Sequence, residues 1–388
     1  MVSGHLQIKN GKYYIVLDLK NENGKRTPKW IATGLEIKGN KRRAEVMLQE
    51  ERKKYTDYVP PKDADILFSD FLLKWLKIIE PQLEVTTFAG YENNAKKIII
   101  PYFKKQNIRL SKLTSTDLNE FYASQSKRVK QSTILHYHAL IHKALKYAVK
   151  NKQIQTNPAD DAEHPKAEKY EASFYNSDEL EKLFMAVKGK PLEIPVLFGA
   201  FYGLRRSEVV GLKWDAVDFK ENTITIRHTI TNCYVKGERV QIAKDRTKNS
   251  SSLRTLPLVP QVKERLLALQ EEQKSNRKVC GSCYSKEYKE YVCVNALGEL
   301  IKPDYITDTF PKVLQKNGLR RIRFHDLRHS CASLLIANGV SMKEVQEWLG
   351  HSDFSTTANI YSHLEYKAKV ASANAMAESM SKALSAIR

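Results

Sequence analysis

Residues 325–364 read "HDLRHSCASLLIANGVSMKEVQEWLGHSDFSTTANIYSHL", a run whose punctuation predicts three consecutive helices. The first carries Leu327, Leu334 and Leu335 on one face and stops at Gly339, a natural left-handed cap. The second opens on Ser341 and Glu344, the spacing of a capping box, and stops at Gly350. His351 is therefore expected in the turn just past a helix end. In the third, Thr357, Ile360, Tyr361 and Leu364 share a face, so Tyr361 points the way the buried residues point. A lone tyrosine there is ordinarily a packing residue with its hydroxyl satisfied by a neighbour.

Its surroundings are less ordinary. His325 and Arg328, at i and i+3 on one helical face, can reach a common phosphate. Upstream, "FYGLRRSEVVGLKW" (201–214) puts Arg205 at a helix start with Glu208 three residues on. Between these, "DRTKNSSSLRTLPL" (245–258) offers Lys248 in a polar turn bounded by strands. His325 and His329 at i and i+4 also imitate the helix of zinc proteases. There, however, Asp326 stands where that motif needs its general-base glutamate, and Arg328 would repel a dication.

Outward from this region the chain reads as an α+β protein of several domains. "HLQIKNGKYYIVLDLKNENGKRTPKWIATGLEI" (5–37) has turn signals at Asn10-Gly11 and Asn23-Gly24 between β-prone runs, which predicts three strands. A helix with Ala44, Met47 and Leu48 at helical spacing follows. "TDYVPPKDAD" (56–65) reads as a linker. Ile66, Leu67, Phe71, Trp75, Ile78 and Ile79, then Ile134, His138, Ile141 and Leu145 behind the N-cap candidate Ser132, predict an all-helical module. From about residue 173 helices mix with a small antiparallel sheet. In it "NTITIRHTI" (222–230) alternates Ile224, Ile226, His228 and Ile230 with polar residues, as one half-buried strand should. The expected domains are 1–57, 64–158 and 173–388.

Lys and Arg number 64 against 44 Asp and Glu, a net charge of +20 over 388 residues. A polyanion is the implied partner. The clusters Lys41–Arg43, Arg52–Lys54, Lys127–Lys130 and Arg320–Arg323 spread that charge over folded segments rather than a tail. No stretch approaches about 18 consecutive apolar residues, and the N-terminus lacks the pattern of a secretory signal, so a cytosolic protein without membrane contact is expected. Five cysteines, an odd number, suit reduced thiols. Cys280, Cys283 and Cys293 lack a nearby fourth ligand for zinc.

Taken together, "GLRRSE" with Arg205, "TKNSSSLRTLP" with Lys248, "HDLRH" with His325 and Arg328, "LGH" with His351 and "TTANIYSHL" with Tyr361 resemble the tyrosine recombinases. More narrowly they resemble the integrases of phages and conjugative transposons. Any one box is weak; five in order from residue 205 to 361 are specific. The resemblance implies an arm-site DNA-binding domain (1–57), a helical core-binding domain (64–158) and a catalytic domain (173–388) with a C-terminal tail helix. Arg206 and Lys244 rival Arg205 and Lys248, but the Gly-Leu-Arg spacing and the distance to Pro257 favour the latter pair.

The resemblance implies a catalytic set of Arg205, Lys248, His325, Arg328, His351 and Tyr361, with no cofactor and no metal. Arg205 and Arg328, always protonated, would neutralise the nonbridging oxygens, and His351 would add a hydrogen bond. Tyr361 would attack phosphorus to leave a 3′-phosphotyrosine and a free 5′-hydroxyl, with His325 as general base and Lys248 as general acid. The sequence offers no carboxylate cluster suited to a two-metal nuclease. Glu208 reads as a structural carboxylate beneath the cations, and His363 as structural. Val370, Met376, Met380, Leu384 and Ile387 form an apolar stripe that either folds back on its own domain or, as the family suggests, docks on a neighbouring protomer. The expected partners are double-stranded attachment sites (core and arm), a homotetramer on a Holliday junction, an excision factor and a DNA-bending protein, on the nucleoid of a bacterial host. A type IB topoisomerase, which would relax supercoils as a monomer, and a non-enzymatic DNA-binding regulator are the competing functions.

Overall fold

The computed structural model describes residues 3–20, 26–55, 66–164, 173–235, 237–245 and 253–350, with Ala373, Met376, Ala377, Met380 and Ser381 of the tail. The turn at Asn23-Gly24, the linker at 56–65, Lys248, His351, Tyr361 and His363 lie outside the described residues, as do Val370, Leu384 and Ile387. The chain divides into two compact units, Met1–Lys169 and Tyr170–Arg388.

The first unit begins with an antiparallel sheet, β1 (Ser3–Lys9), β2 (Lys12–Lys20) and β3 (Arg26–Glu36), in that spatial order. Asn10 (φ 51°) and Gly11 (φ 73°) both adopt the left-handed conformation, and Lys9 pairs with Lys12 across the two-residue turn. Helix α1 (Lys41–Tyr55) covers one face, closing a core of Ile15, Leu17 and Leu48.

Helices α2 (Phe68–Ile79), α3 (Val85–Asn94), α4 (Ile100–Gln106), α5 (Ser115–Ser126) and α6 (Gln131–Lys150) follow. They surround a separate core of Phe68, Phe71, Trp75, Phe103, Phe121, Ile134, Ile141 and Leu145. Two expectations fail locally. Ile78 is 40% exposed, since the stripe of α2 is narrower than the run of apolar residues. Ser132 does not cap α6, because the helix is entered at Lys130, whose carbonyl already receives Thr133 N–H at 2.9 Å.

The second unit contains α7 (Ser177–Val187), α8 (Glu193–Tyr202) and α9 (Arg206–Gly211), then β4 (Val217–Asp218), β5 (Thr223–Ile226), β6 (His228–Val235), β7 (Glu238–Asp245) and β8 (Arg254–Pro257). Helices α10 (Pro260–Cys280), α11 (Pro303–Lys316), α12 (Asp326–Ala337) and α13 (Met342–Leu349) complete it. One core, from Tyr175 on to Leu327, joins α7–α12 with β4–β6 and β8, and a smaller one of Cys331, Ala332, Ile336, Val345 and Leu349 packs α12 against α13. The fold class is α+β, as the residue patterns indicated.

The stretch 222–230 is two strands rather than one. β5 pairs with β4 and β8, whereas β6 pairs, among the described residues, with β7 as a hairpin. The break falls at Arg227, whose guanidinium reaches Asp215, 2.7 Å away. His228 then turns inward to Asp245 (2.5 Å) and the Tyr291 hydroxyl (3.1 Å). α9 lies directly against this junction, since a Cβ at Gly211 would meet Thr229 Cα at 2.6 Å. Gly339 (φ 83°) and Gly350 (φ 68°) terminate α12 and α13, and the Ser341–Glu344 capping box forms in both directions. The five cysteines are free thiols. Among the described residues no helix is long and apolar enough to cross a membrane.

Candidate active site

Arg205 is placed by a helix end and a helix start three residues apart. α8 closes on Gly203 in the left-handed conformation (φ 59°), and α9 opens at Arg206 with Arg205 as its N-cap residue. Glu208, in the first turn of α9, bonds back to Arg205 N–H at 3.0 Å through Oε2 and to Arg205 Nη1 at 2.8 Å through Oε1. One buried carboxylate thus fixes both the backbone and the guanidinium. Arg206, the neighbouring candidate, turns away to Thr307 on α11.

His325 and Arg328 come from the start of α12. Arg328 is 2% exposed, and its guanidinium donates to Gly203 O at 2.6 Å and Leu349 O at 2.7 Å. Those carbonyls end α8 and α13, where the helix dipoles present negative charge, so a buried cation is solvated by two helix C-termini. Asp326, which a zinc protease would need as a glutamate base, is engaged by Arg323 at 2.7 Å and by Arg323 N–H at 2.7 Å.

His325 precedes α12 as its N-cap residue and keeps part of its surface in solvent. That partial desolvation, together with the positive charges of Arg328 and His329, holds its pKa down at about 4. The ring is therefore neutral near pH 7. It borders a cavity of about 570 Å³ lined by Arg206, Arg321 and Arg323.

The end of α13 gathers these pieces. Its last carbonyls lack intrahelical donors, and three successive ones are each taken by a different arginine. Trp348 O receives Arg254 Nε (2.9 Å), Leu349 O receives Arg328 Nη2 (2.7 Å) and Gly350 O receives Arg205 Nη2 (3.2 Å). Arg254 also reaches Glu208 Oε2 at 3.2 Å. Burial by itself would raise the Glu208 carboxyl. The charges of Arg254 and Arg205 and the hydrogen bonds from Arg205 overcome it and bring the pKa down to about 2. Three guanidiniums against one carboxylate leave this group net positive at its solvent edge, where Arg205 retains 31% side-chain exposure.

Of the residues expected in the site, Arg205, His325 and Arg328 are brought to one place, while Lys248, His351 and Tyr361 fall outside the described residues. Glu208 lies beneath them as expected. Arg254 was missed. Its signal was legible, an arginine two residues before Leu256 on the buried side of a short strand, where charge is anomalous.

Guanidiniums gathered at a helix end, with an imidazole next to Arg328, are an arrangement able to hold an anion. The chain belongs to the phage integrase family, whose model matches residues 173–368, with the family's N-terminal SAM-like domain matching residues 67–124. It is accordingly a tyrosine recombinase, an enzyme that cleaves and rejoins DNA strands. A tyrosine recombinase XerC-like protein of Caldanaerobacter subterraneus subsp. tengcongensis is 28% identical over 386 residues, covering 93% of this chain and 95% of that one. Among solved structures, the Tn1549 transposon integrase in complex with a circular intermediate DNA superposes with a TM-score of 0.64 at 17% identity, covering 76% of this chain and 94% of that one. The lambda integrase tetramer bound to a Holliday junction superposes at 0.54, also at 17% identity, covering 90% and 96%. At that identity the likeness is one of fold.

Proposed function

We propose that this recombinase is the integrase of a mobile element, acting in the bacterial cytoplasm at the attachment sites of that element. Residues 1–57 would bind arm sites, 64–158 would grip the core site, and 173–388 would carry out the chemistry as one of four protomers around a Holliday junction. An excision factor and a DNA-bending protein would set the direction.

In the cleavage step the Tyr361 oxygen attacks phosphorus, its proton passing to His325. The P–O5′ bond breaks, and Lys248 protonates the departing 5′-oxygen. Arg205 holds one nonbridging oxygen from its open face, Arg328 supports the site from beneath, and His351 donates to the same phosphate. The 3′-phosphotyrosine keeps the bond energy, so a 5′-hydroxyl from another strand reverses the step without ATP.

The observation that carries this reading is the convergence of Arg205 and Arg328 on neighbouring carbonyls at the end of α13, with the neutral His325 alongside. The test uses nicked duplexes bearing the junction sequence of the element that encodes the chain. A covalent protein–DNA adduct and joined recombinants are expected from the native chain and neither from Tyr361→Phe. An undiminished adduct in Tyr361→Phe overturns the nucleophile. On a supercoiled plasmid bearing the same sequence, relaxation without recombinants would make the protein a topoisomerase.

A further inference from the structure

Arg254 is nine-tenths buried, and burying a guanidinium is costly unless its donors are used. Two of its donors reach different elements: Nε donates to Trp348 O at the end of α13, and Nη2 to Glu208 Oε2 in α9. Trp348 is itself pinned, its indole N–H donating to Phe201 O at 3.3 Å and its ring stacking on Tyr202 at 6.0 Å between centroids. On the other side, β8 is tied into the sheet by the pairing of Arg254 with Ile226. Arg254 therefore spans from a fixed strand to the two groups that orient Arg205, the Glu208 carboxylate and the terminal turn of α13.

We propose that Arg254 is a positioning residue of the strand-cleavage reaction: it holds Glu208 and the end of α13 in register, so that Arg205 faces the phosphate while Arg328 supports the site from beneath. The inference rests on the phosphate-holding role of Arg205 proposed above. Arg254 need not touch DNA. Lysine cannot replace it fully, since one ammonium cannot reproduce the two diverging donors of a guanidinium.

The experiment measures single-turnover adduct formation at saturating nicked duplex, DNA affinity and thermal midpoint for the native chain, Arg254→Gln, Arg254→Lys, Arg205→Ala and Arg205→Ala/Arg254→Gln. Arg254→Gln should slow adduct formation about 100-fold, the loss typical of a misplaced catalytic group, with affinity within about 2-fold. Arg254→Lys should lie between it and the native chain, and it replaces Arg254→Gln throughout if the latter does not fold. In the Arg205→Ala background the second change should cost less than about 3-fold, because the two residues act as one unit.

A 5′-bridging phosphorothiolate, whose sulfur leaves without a proton, separates this role from help to the general acid. The Arg254→Gln defect should persist on it. Fully additive losses, a defect confined to affinity, or restoration by the phosphorothiolate would each overturn the proposal. If the native chain forms an adduct and Arg205→Ala forms it equally fast, the reading of Arg205 fails instead, and this inference with it.

Discussion

Glu208 holds Arg205 at both ends, Oε1 lying 2.8 Å from its Nη1 and Oε2 3.0 Å from its backbone nitrogen. The carboxylate is fully buried and shared with Arg254, so it is the counter-charge on which two guanidiniums depend. Replacing it with alanine removes the carboxylate counter-charge from the buried Arg254 and from the half-buried Arg205. Glu208→Ala should destabilise the second unit by about 3–5 kcal/mol. Glu208→Gln, which keeps one acceptor, should lose less. Urea denaturation of the two variants checks the order.

The same carboxylate predicts a dependence of stability on pH. Its pKa falls from an ordinary 4.5 to about 2 in the folded chain. Between those values the unfolded chain binds a proton that the folded one refuses. The stabilisation is thus complete above pH 4.5 and disappears as pH falls toward 2, a total of about 3 kcal/mol. Denaturation midpoints of the native chain should drop across that window more steeply than those of Glu208→Gln.

His325 gives a second pH signature, read in the reaction. With a pKa lowered from 6.5 to about 4 by desolvation and by Arg328 and His329, it stays neutral through pH 5.5. Asp326 works against that shift, and Arg323 adds to it. If His325 is the base, single-turnover adduct formation should change less than about 3-fold between pH 8 and 5.5. An acid limb that halves the rate near pH 6.5 would contradict either the depressed pKa or the role.

Gly203 is where backbone conformation and site geometry coincide. Its φ of 59° disfavours any side chain, and a Cβ would run into Leu349 Cδ2 and lie 3.3 Å from Arg328 Cγ. Gly203→Ala should destabilise the second unit by about 2–4 kcal/mol and shift the carbonyl that holds Arg328. Adduct formation should fall even at temperatures where the variant remains folded by circular dichroism.

The net charge of +20 predicts a binding signature. If the basic clusters meet phosphates at six to ten points, affinity for duplex should drop about 10³–10⁵-fold from 50 to 200 mM salt. A flat response in a filter or fluorescence assay would show that the charge is not spent on DNA.

Local chemistry makes much of this protein readable from its residues alone. Asn10-Gly11 can turn both residues left-handed, and so the first hairpin follows from two letters. Ser341 with Glu344, and Gly350 after Leu349, set both ends of α13 because capping depends on neighbours three or four residues away. The candidacy of Arg205, His325 and Arg328 came from short motifs that resemble those of the tyrosine recombinases. Where a preference is overridden by packing, the reading failed: Arg227 divides one apparent strand into two, and Ile78 faces solvent despite its place in an apolar run.

What only the tertiary structure decided is the gathering of charges at one helix end. Arg254, Arg328 and Arg205 stand far apart in sequence, yet take the successive carbonyls of Trp348, Leu349 and Gly350. Spacing along a chain specifies which groups a helix leaves unsatisfied. Which distant arginines satisfy them is settled by how α8, α9, β8, α12 and α13 pack around a shared core, since a buried guanidinium is tolerated only where acceptors already wait for it.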